Sequence, residues 1–244
     1  MIAFDRYKVL TFDCYGTLID WETGIEAVVR PWLATAGSSP APLDLVITCF
    51  ALHQAKHQQT RPTLLYPDVL RRTWRDIEGT FGWDENSDHA EAFATSVSAW
   101  PPFPDTIESL RYLAGFYKLA ILSNVDNASL RGTLDLLGVP IDLTVTAEDV
   151  ASYKPGRPHF ERAIEQLGGM GIAKHEILHV AQSKHHDIAP AREFGLTRVW
   201  VNRRYDKRGS GATLATSAEP DLTVNSLAEL VALHKARAHA TAVS

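Results

Sequence analysis

A chain of 244 residues accommodates one large domain or two small ones, and either would bury a sizeable core. Hydrophobic residues at 45% and charged residues at 22% exclude wholesale disorder, and 24 Lys+Arg against 29 Asp+Glu, a net charge of −5, offer nucleic acid no basic field. Two cysteines, Cys14 and Cys49, exclude a disulfide-built scaffold and a four-cysteine zinc site. No apolar run approaches the roughly 20 residues of a membrane span, and charges among the first residues leave no signal-peptide core. A soluble, cytoplasmic protein is expected.

In chain order, Val9-Leu10-Thr11-Phe12 is a short, β-prone apolar run that stops at Asp13, as a buried strand does where it opens into a loop. The next stretch holds helical patterns near residues 22–36, 43–58, 67–79 and 88–98 and no convincing strand. Ser38-Ser39-Pro40-Ala41-Pro42 and Trp100-Pro101-Pro102-Phe103-Pro104 punctuate it as loops. Strand-like runs then recur at 119–122, 143–145, 177–180 and 199–201, separated by helix-like stretches near 105–115, 127–137, 158–168 and 187–194. Pro158 opens the third of these and Gly195 follows the fourth as a C-cap. A Gly/Ser/Ala/Thr-rich loop at 207–218 precedes a last strand near 221–224 and a helix near 226–236. Alternation of strand and helix predicts an α/β fold, a parallel sheet with helices on both faces. The all-helical segment 21–100 is expected as an insertion into a core formed by 1–20 and 101–244. It would stand over the C-terminal ends of the strands, where such sheets place ligands.

The candidate chemistry lies at those strand ends. Asp13 ends the first strand and precedes Gly16, which permits a sharp turn, so its carboxylate is a nucleophile, a metal ligand or a cap. Ser123-Asn124 directly follows the second strand-like run and can bind a carboxylate, a halide or a phosphate oxygen, or make a turn. Lys154 stands before Pro155-Gly156, as a placed cation or as solvated surface. Asp187 begins a helix-like run after 177–180, where an aspartate is ordinarily an N-cap. Chance capping does not predict all four at successive strand ends of one sheet.

In order and context these motifs resemble the haloacid dehalogenase superfamily over nearly the whole chain, which implies a Rossmann-like core and makes the insertion a helical cap domain. Superfamily phosphatases carry a second aspartate two residues after the first as general acid; here that position is Tyr15. Asp13-Cys14-Tyr15-Gly16-Thr17-Leu18 is similar to the metal-free 2-haloacid dehalogenases. Halide leaves without protonation, whereas an alkoxide needs an acid.

The resemblance implies hydrolysis of a short 2-haloacid to a 2-hydroxyacid through an ester on Asp13, with Lys154 lowering the Asp13 pKa and Asp187 orienting or deprotonating water or fixing Lys154. Thr17 and Ser123 would hold the nucleophile or the substrate carboxylate, and Asn124 matches the position that contacts halide. Tyr15 belongs to the same substrate-binding set. No cofactor and no metal are implied. The partner is a small molecule rather than nucleic acid or membrane, with homodimerisation left open. The alternatives are a magnesium-dependent phosphatase using Asp13 and Asp187, and a non-catalytic binding protein on the same scaffold.

The sequence departs from the family pattern in three places. A Ser-Ser-Asn-like stretch is replaced by Gln182-Ser183-Lys184-His185-His186, a tyrosine by Phe160, and no arginine stands on the helix around 49–57 to receive halide. His53 and His57, four apart, read as a polar helix face rather than a metal site. Lys184, His185 and His186 read as a solvated loop beside the site. Cys14 reads as a buried small residue, and Trp21, Phe50, Tyr66 and Trp74 as core or pocket lining.

Overall fold

The computed structural model describes residues 2–35, 41–205 and 216–242. The first strand, β1 (Val9–Phe12), is buried at every position, as expected of a largely apolar central strand in a parallel sheet. Helices α1 (Trp21–Thr35), α2 (Leu43–Thr60), α3 (Tyr66–Phe81) and α4 (Ser87–Thr95) follow it. Helix α3 buries Tyr66, Val69, Leu70, Thr73, Trp74 and Ile77, one face at helical spacing. It ends where Gly82 takes a left-handed φ of 68°. Asn86 caps α4 by accepting the Asp88 and His89 N–H groups. Trp74 is the centre of this helical packing, with ring centroids 4.8 Å from Trp32 and 5.3 Å from Phe93.

The chain then alternates: α5 (Thr106–Ala114), β2 (Lys118–Ser123), α6 (Asn127–Leu137), β3 (Leu143–Thr146), α7 (Ala147–Val150), α8 (Pro158–Gly169) and β4 (Ile177–Ala181). After β4 come a π-helical turn (Lys184–Ile188), α9 (Ala189–Glu193), β5 (Thr197–Val201), β6 (Leu222–Val224) and α10 (Leu227–Ala242). The six strands are parallel in the order β3-β2-β1-β4-β5-β6. Strand β1 is therefore internal, with Phe12 opposite Ile121 of β2 and Val180 of β4. Connections run outward from β1 through β2 to β3 and then cross to β4, so the order reverses beside β1. That reversal opens a crevice at the strand ends. Alternate side chains leave the sheet on opposite faces: Val9, Ala120 and Ile177 pack with Phe160, Ala163 and Leu167 of α8, while Leu10, Phe12 and Leu178 share a cluster with α5, α10 and the helical insertion.

The local departures from expectation have physical causes. Ser123 is the last residue of β2 rather than the first loop residue, because β2 pairs with β3 through Ser123 and Thr146. The helix expected at 187–194 starts earlier and is irregular. Ser183, not Asp187, is the cap, accepting the His186 N–H on its hydroxyl, and Asp187 lies inside the π-helical turn. The loop at 38–42 lies mostly outside the described residues, as does most of 207–218.

Candidate active site

Asp13 follows β1 directly and its N–H donates to the Val180 carbonyl at 3.2 Å, which ties it to the end of β4. Both carboxylate oxygens are engaged. Oδ1 accepts from Lys154 Nζ at 2.9 Å and Oδ2 from the Thr17 hydroxyl at 2.8 Å. The Thr17 oxygen accepts in turn from the Gln182 N–H at 2.9 Å. Gly16 makes the turn between them with φ of 96°, and a Cβ there would lie 3.2 Å from Trp21 and 3.3 Å from Gln182.

Lys154 is buried, and its three ammonium protons find three acceptors: Asp13 Oδ1 at 2.9 Å, Asp187 Oδ1 at 2.6 Å and the Leu122 carbonyl at 2.8 Å. An ammonium removed from water needs this complete set. Asn124 fixes the backbone beneath it, accepting the Lys154 N–H at 2.7 Å and donating to the Lys154 carbonyl at 3.1 Å. Asp187 Oδ1 also faces His179 Nε2 at 3.3 Å, and His179 Nδ1 lies 2.9 Å from the Thr11 hydroxyl. Because a carboxylate only accepts, the proton belongs on Nε2, and Nδ1 takes the threonine proton. Within this cluster, Asp187 Oδ2 and Ser123 Oγ are buried without a hydrogen-bond partner among the described residues.

One cation between two carboxylates sets the electrostatics. Burial raises the Asp13 pKa, Lys154 lowers it and Asp187 raises it again, leaving the carboxyl above its ordinary value. This corrects the expectation of a lowered Asp13: the ammonium does pull it down, but burial and the second carboxylate outweigh that pull. Burial would raise Asp187 too, yet Lys154 and His179 reverse the shift and bring it to about 2. Lys154 keeps its proton, since the two carboxylates overcome the burial that would strip it.

A cavity of about 100 Å³ opens above this cluster, large enough for several waters or one small organic molecule. Asp13, Ser123, Lys154 and Asp187 form its strand side, and Gln182 and His186 reach it from the loop after β4. Trp21 of α1, Phe50, Gln54 and Gln58 of α2, and Tyr66 of α3 form its helix side. Burial pushes His186 down to about 4, which leaves the imidazole neutral at pH 7.

The family model for haloacid dehalogenase-like hydrolases matches residues 7–195, more than half of the chain and all of the cluster above. The chain belongs to that family. Its sequence is 28% identical over 207 residues to (S)-2-haloacid dehalogenase 1 of Pseudomonas sp. (strain CBS-3), covering 82% of this chain and 86% of that one. It is 29% identical over 143 residues to a pyrimidine 5'-nucleotidase of Escherichia coli (strain K12), covering 57% and 60%. The fold matches the L-2-haloacid dehalogenase of Xanthobacter autotrophicus with a TM-score of 0.76 at 22% identity, over 94% of this chain and 98% of that one.

Within this hydrolase, Asp13, Lys154 and Asp187 meet in one hydrogen-bonded group, and Tyr15, Ser123 and Asn124 line the cavity. Thr17 is fully buried and serves the Asp13 carboxylate. The Tyr15 hydroxyl pairs with Thr133 Oγ1 at 2.8 Å, and its ring stands edge-on to Trp100. Trp21, Phe50 and Tyr66 reach the cavity, whereas Trp74 belongs to the packing of the insertion. His53 and His57 lie apart from it, sharing Asp76 of α3, and Lys184 covers the Trp200 ring at 4.1 Å. Among the described residues, no three His, Cys, Asp or Glu side chains are grouped to hold a metal ion, and no helix is long and apolar enough to cross a membrane. Sequence reasoning missed His179, Gln54, Gln58 and Gln182. Only His179 left a signal, as a polar residue inside the apolar run Ile177-Leu178-His179-Val180.

Proposed function

We propose that this hydrolase is a cofactor-independent dehalogenase that converts a short 2-haloacid to a 2-hydroxyacid. The observation that carries the reading is a fixed Asp13 carboxylate with Tyr15, tied to Thr133, where a phosphatase would need a second carboxylic acid. In the first step an Asp13 oxygen bonds to C2 of the substrate, and the C2–halogen bond breaks with its electrons leaving on halide. Ser123 Oγ, buried and unpartnered, is placed to donate to the substrate carboxylate. In the second step water adds to the Asp13 ester carbonyl. One water proton passes by way of Asp187 Oδ2 to the departing 2-hydroxyacid oxygen, the other is lost from the Asp13 carboxyl to solvent, and the Asp13 carboxylate is regenerated. Lys154 stays protonated throughout and holds both carboxylates in place. On this reading residues 21–100 act as a cap domain over a core of 1–20 and 101–244.

The nucleotidase relative favours a second reading, phosphate-ester hydrolysis with magnesium. The residues present do not fit the ion: Asp13 and Asp187 already share Lys154, and Tyr15 and Gln182 add no carboxylate. The deciding experiment is a single turnover in ¹⁸O-labelled water with enzyme in excess over 2-chloropropionate, beside assays of halide and phosphate release. Label should enter the peptide containing Asp13 and be absent from the first-turnover hydroxyacid. Label in the product alone would refute the ester mechanism, and magnesium-dependent phosphate release without halide release would establish the second reading.

A further inference from the structure

Displacement at carbon is in line: the leaving group departs on the side opposite the attacking oxygen. Asp13 attacks from the strand side, so the halogen must point at the helix side of the cavity. That side holds no cation. Lys154 carries the one positive charge among the described residues lining the cavity, and all three of its protons are committed to Asp13, Asp187 and Leu122. The polar groups on that side are uncharged: the Gln54 and Gln58 amides, the Tyr66 hydroxyl and the Trp21 indole N–H. Phe50, Gln54 and Gln58 follow one another at four-residue spacing on α2, which turns them to one helix face. The Gln54 carbonyl accepts the Tyr66 hydroxyl at 2.7 Å, which leaves its NH₂ as a donor. Gln58 is 6% exposed, faces the cavity, and finds no partner for its amide among the described residues. An amide facing the cavity without a protein partner is open to hydrogen-bond whatever the cavity holds.

We infer that the Gln58 amide, flanked by the NH₂ of Gln54, receives the departing halide and makes leaving-group selection in this enzyme the work of uncharged donors. The inference rests on the dehalogenase reading and adds the residues that choose among halogens. Neutral donors stabilise a small, charge-dense anion more than a large, diffuse one, so losing a donor should penalise chloride more than bromide.

The test compares wild type, Gln58→Met and Gln58→Glu on 2-chloropropionate and 2-bromopropionate. Gln58→Met keeps the length and removes the amide. It should lose about 10- to 100-fold in kcat/KM on the chloro substrate and less on the bromo one. The bromo-to-chloro ratio should rise, while single-turnover hydrolysis of the preformed Asp13 ester keeps its wild-type rate. Gln58→Glu should lose more, because a carboxylate would face the departing anion. A merely structural role would lower both substrates equally. An unchanged bromo-to-chloro ratio in Gln58→Met, whatever the overall loss, overturns this inference and leaves the dehalogenase reading standing. Wild type that releases halide from neither substrate overturns that reading, and this inference with it.

Discussion

On the strand side of the cavity Lys154 spends every proton, Asp13 engages both oxygens and Asn124 clamps the backbone underneath. On the helix side rings and amides face the same space, and the Gln58 amide is left open. The strand side is charged, internally complete and carried by the ends of β1, β2 and β4 with the turns that follow them. The helix side is neutral and unfinished, and comes from helices that form their own aromatic core. On the proposed function, reaction chemistry resides where the backbone is fixed by sheet pairing, and selection where single side chains can change without disturbing that pairing.

The contrast breaks most severely at Asp13. Asp13→Asn should cut turnover by at least ~10³-fold with unchanged circular dichroism, since the nucleophile is lost and the shape is kept. Full activity in freshly purified protein would remove the strand side from the chemistry. Lys154→Met should abolish activity and also cost about 3–5 kcal/mol of stability in urea denaturation, because two buried carboxylates lose their shared cation. Gln58→Met should cost less than about 1 kcal/mol in the same assay, and comparable losses would erase the distinction between the two walls.

Subtler is His179→Gln, which removes an imidazole tying Asp187 to Thr11. Ester hydrolysis should slow by about tenfold while the first-turnover burst of halide stays intact; a slower burst instead would place His179 on the first step. The smallest effect is a pH dependence. On the proposed mechanism only ionised Asp13 attacks, and burial holds its pKa above the ordinary 3.8, so kcat/KM should fall as pH drops through a value higher than that of a free aspartate. An acid limb below 3.8 would mean that Lys154 overcomes the burial after all.

Local signals carried much of this into the sequence. An apolar strand ending at Asp13, Gly16 in a positive-φ turn and the alternation after residue 100 each depend on neighbours close in the chain, and patterning displays such features. Lys154 was legible as a candidate, but its third acceptor is the Leu122 backbone carbonyl, which no side-chain pattern reveals. Asn124, expected at the halide, spends its carbonyl and an N–H on Lys154, a pairing across 30 residues that follows from the β2 and α8 packing. Asp187 looked like a cap because it begins a helix-like run; Ser183 takes the capping role, and Asp187 turns inward to Lys154. Gln54 and Gln58 were unreadable, since an amide on a helix looks the same whether it faces solvent or a cavity.

The place of β1 in the sheet also shapes how the chain comes to be folded during synthesis. β1 precedes both of its partners, β2 and β4, in the chain; Thr11 and His179, which touch in the finished protein, are 168 residues apart. Helices α2 and α3 instead meet across a short loop and can associate as soon as they emerge. A growing chain therefore lacks one of the two neighbours of β1 until Ile177–Ala181 has been made, an interval in which exposed apolar surface invites chaperone contact or aggregation. Asp13 is thus made well before Val180 and Lys154, the residues that fix it in place.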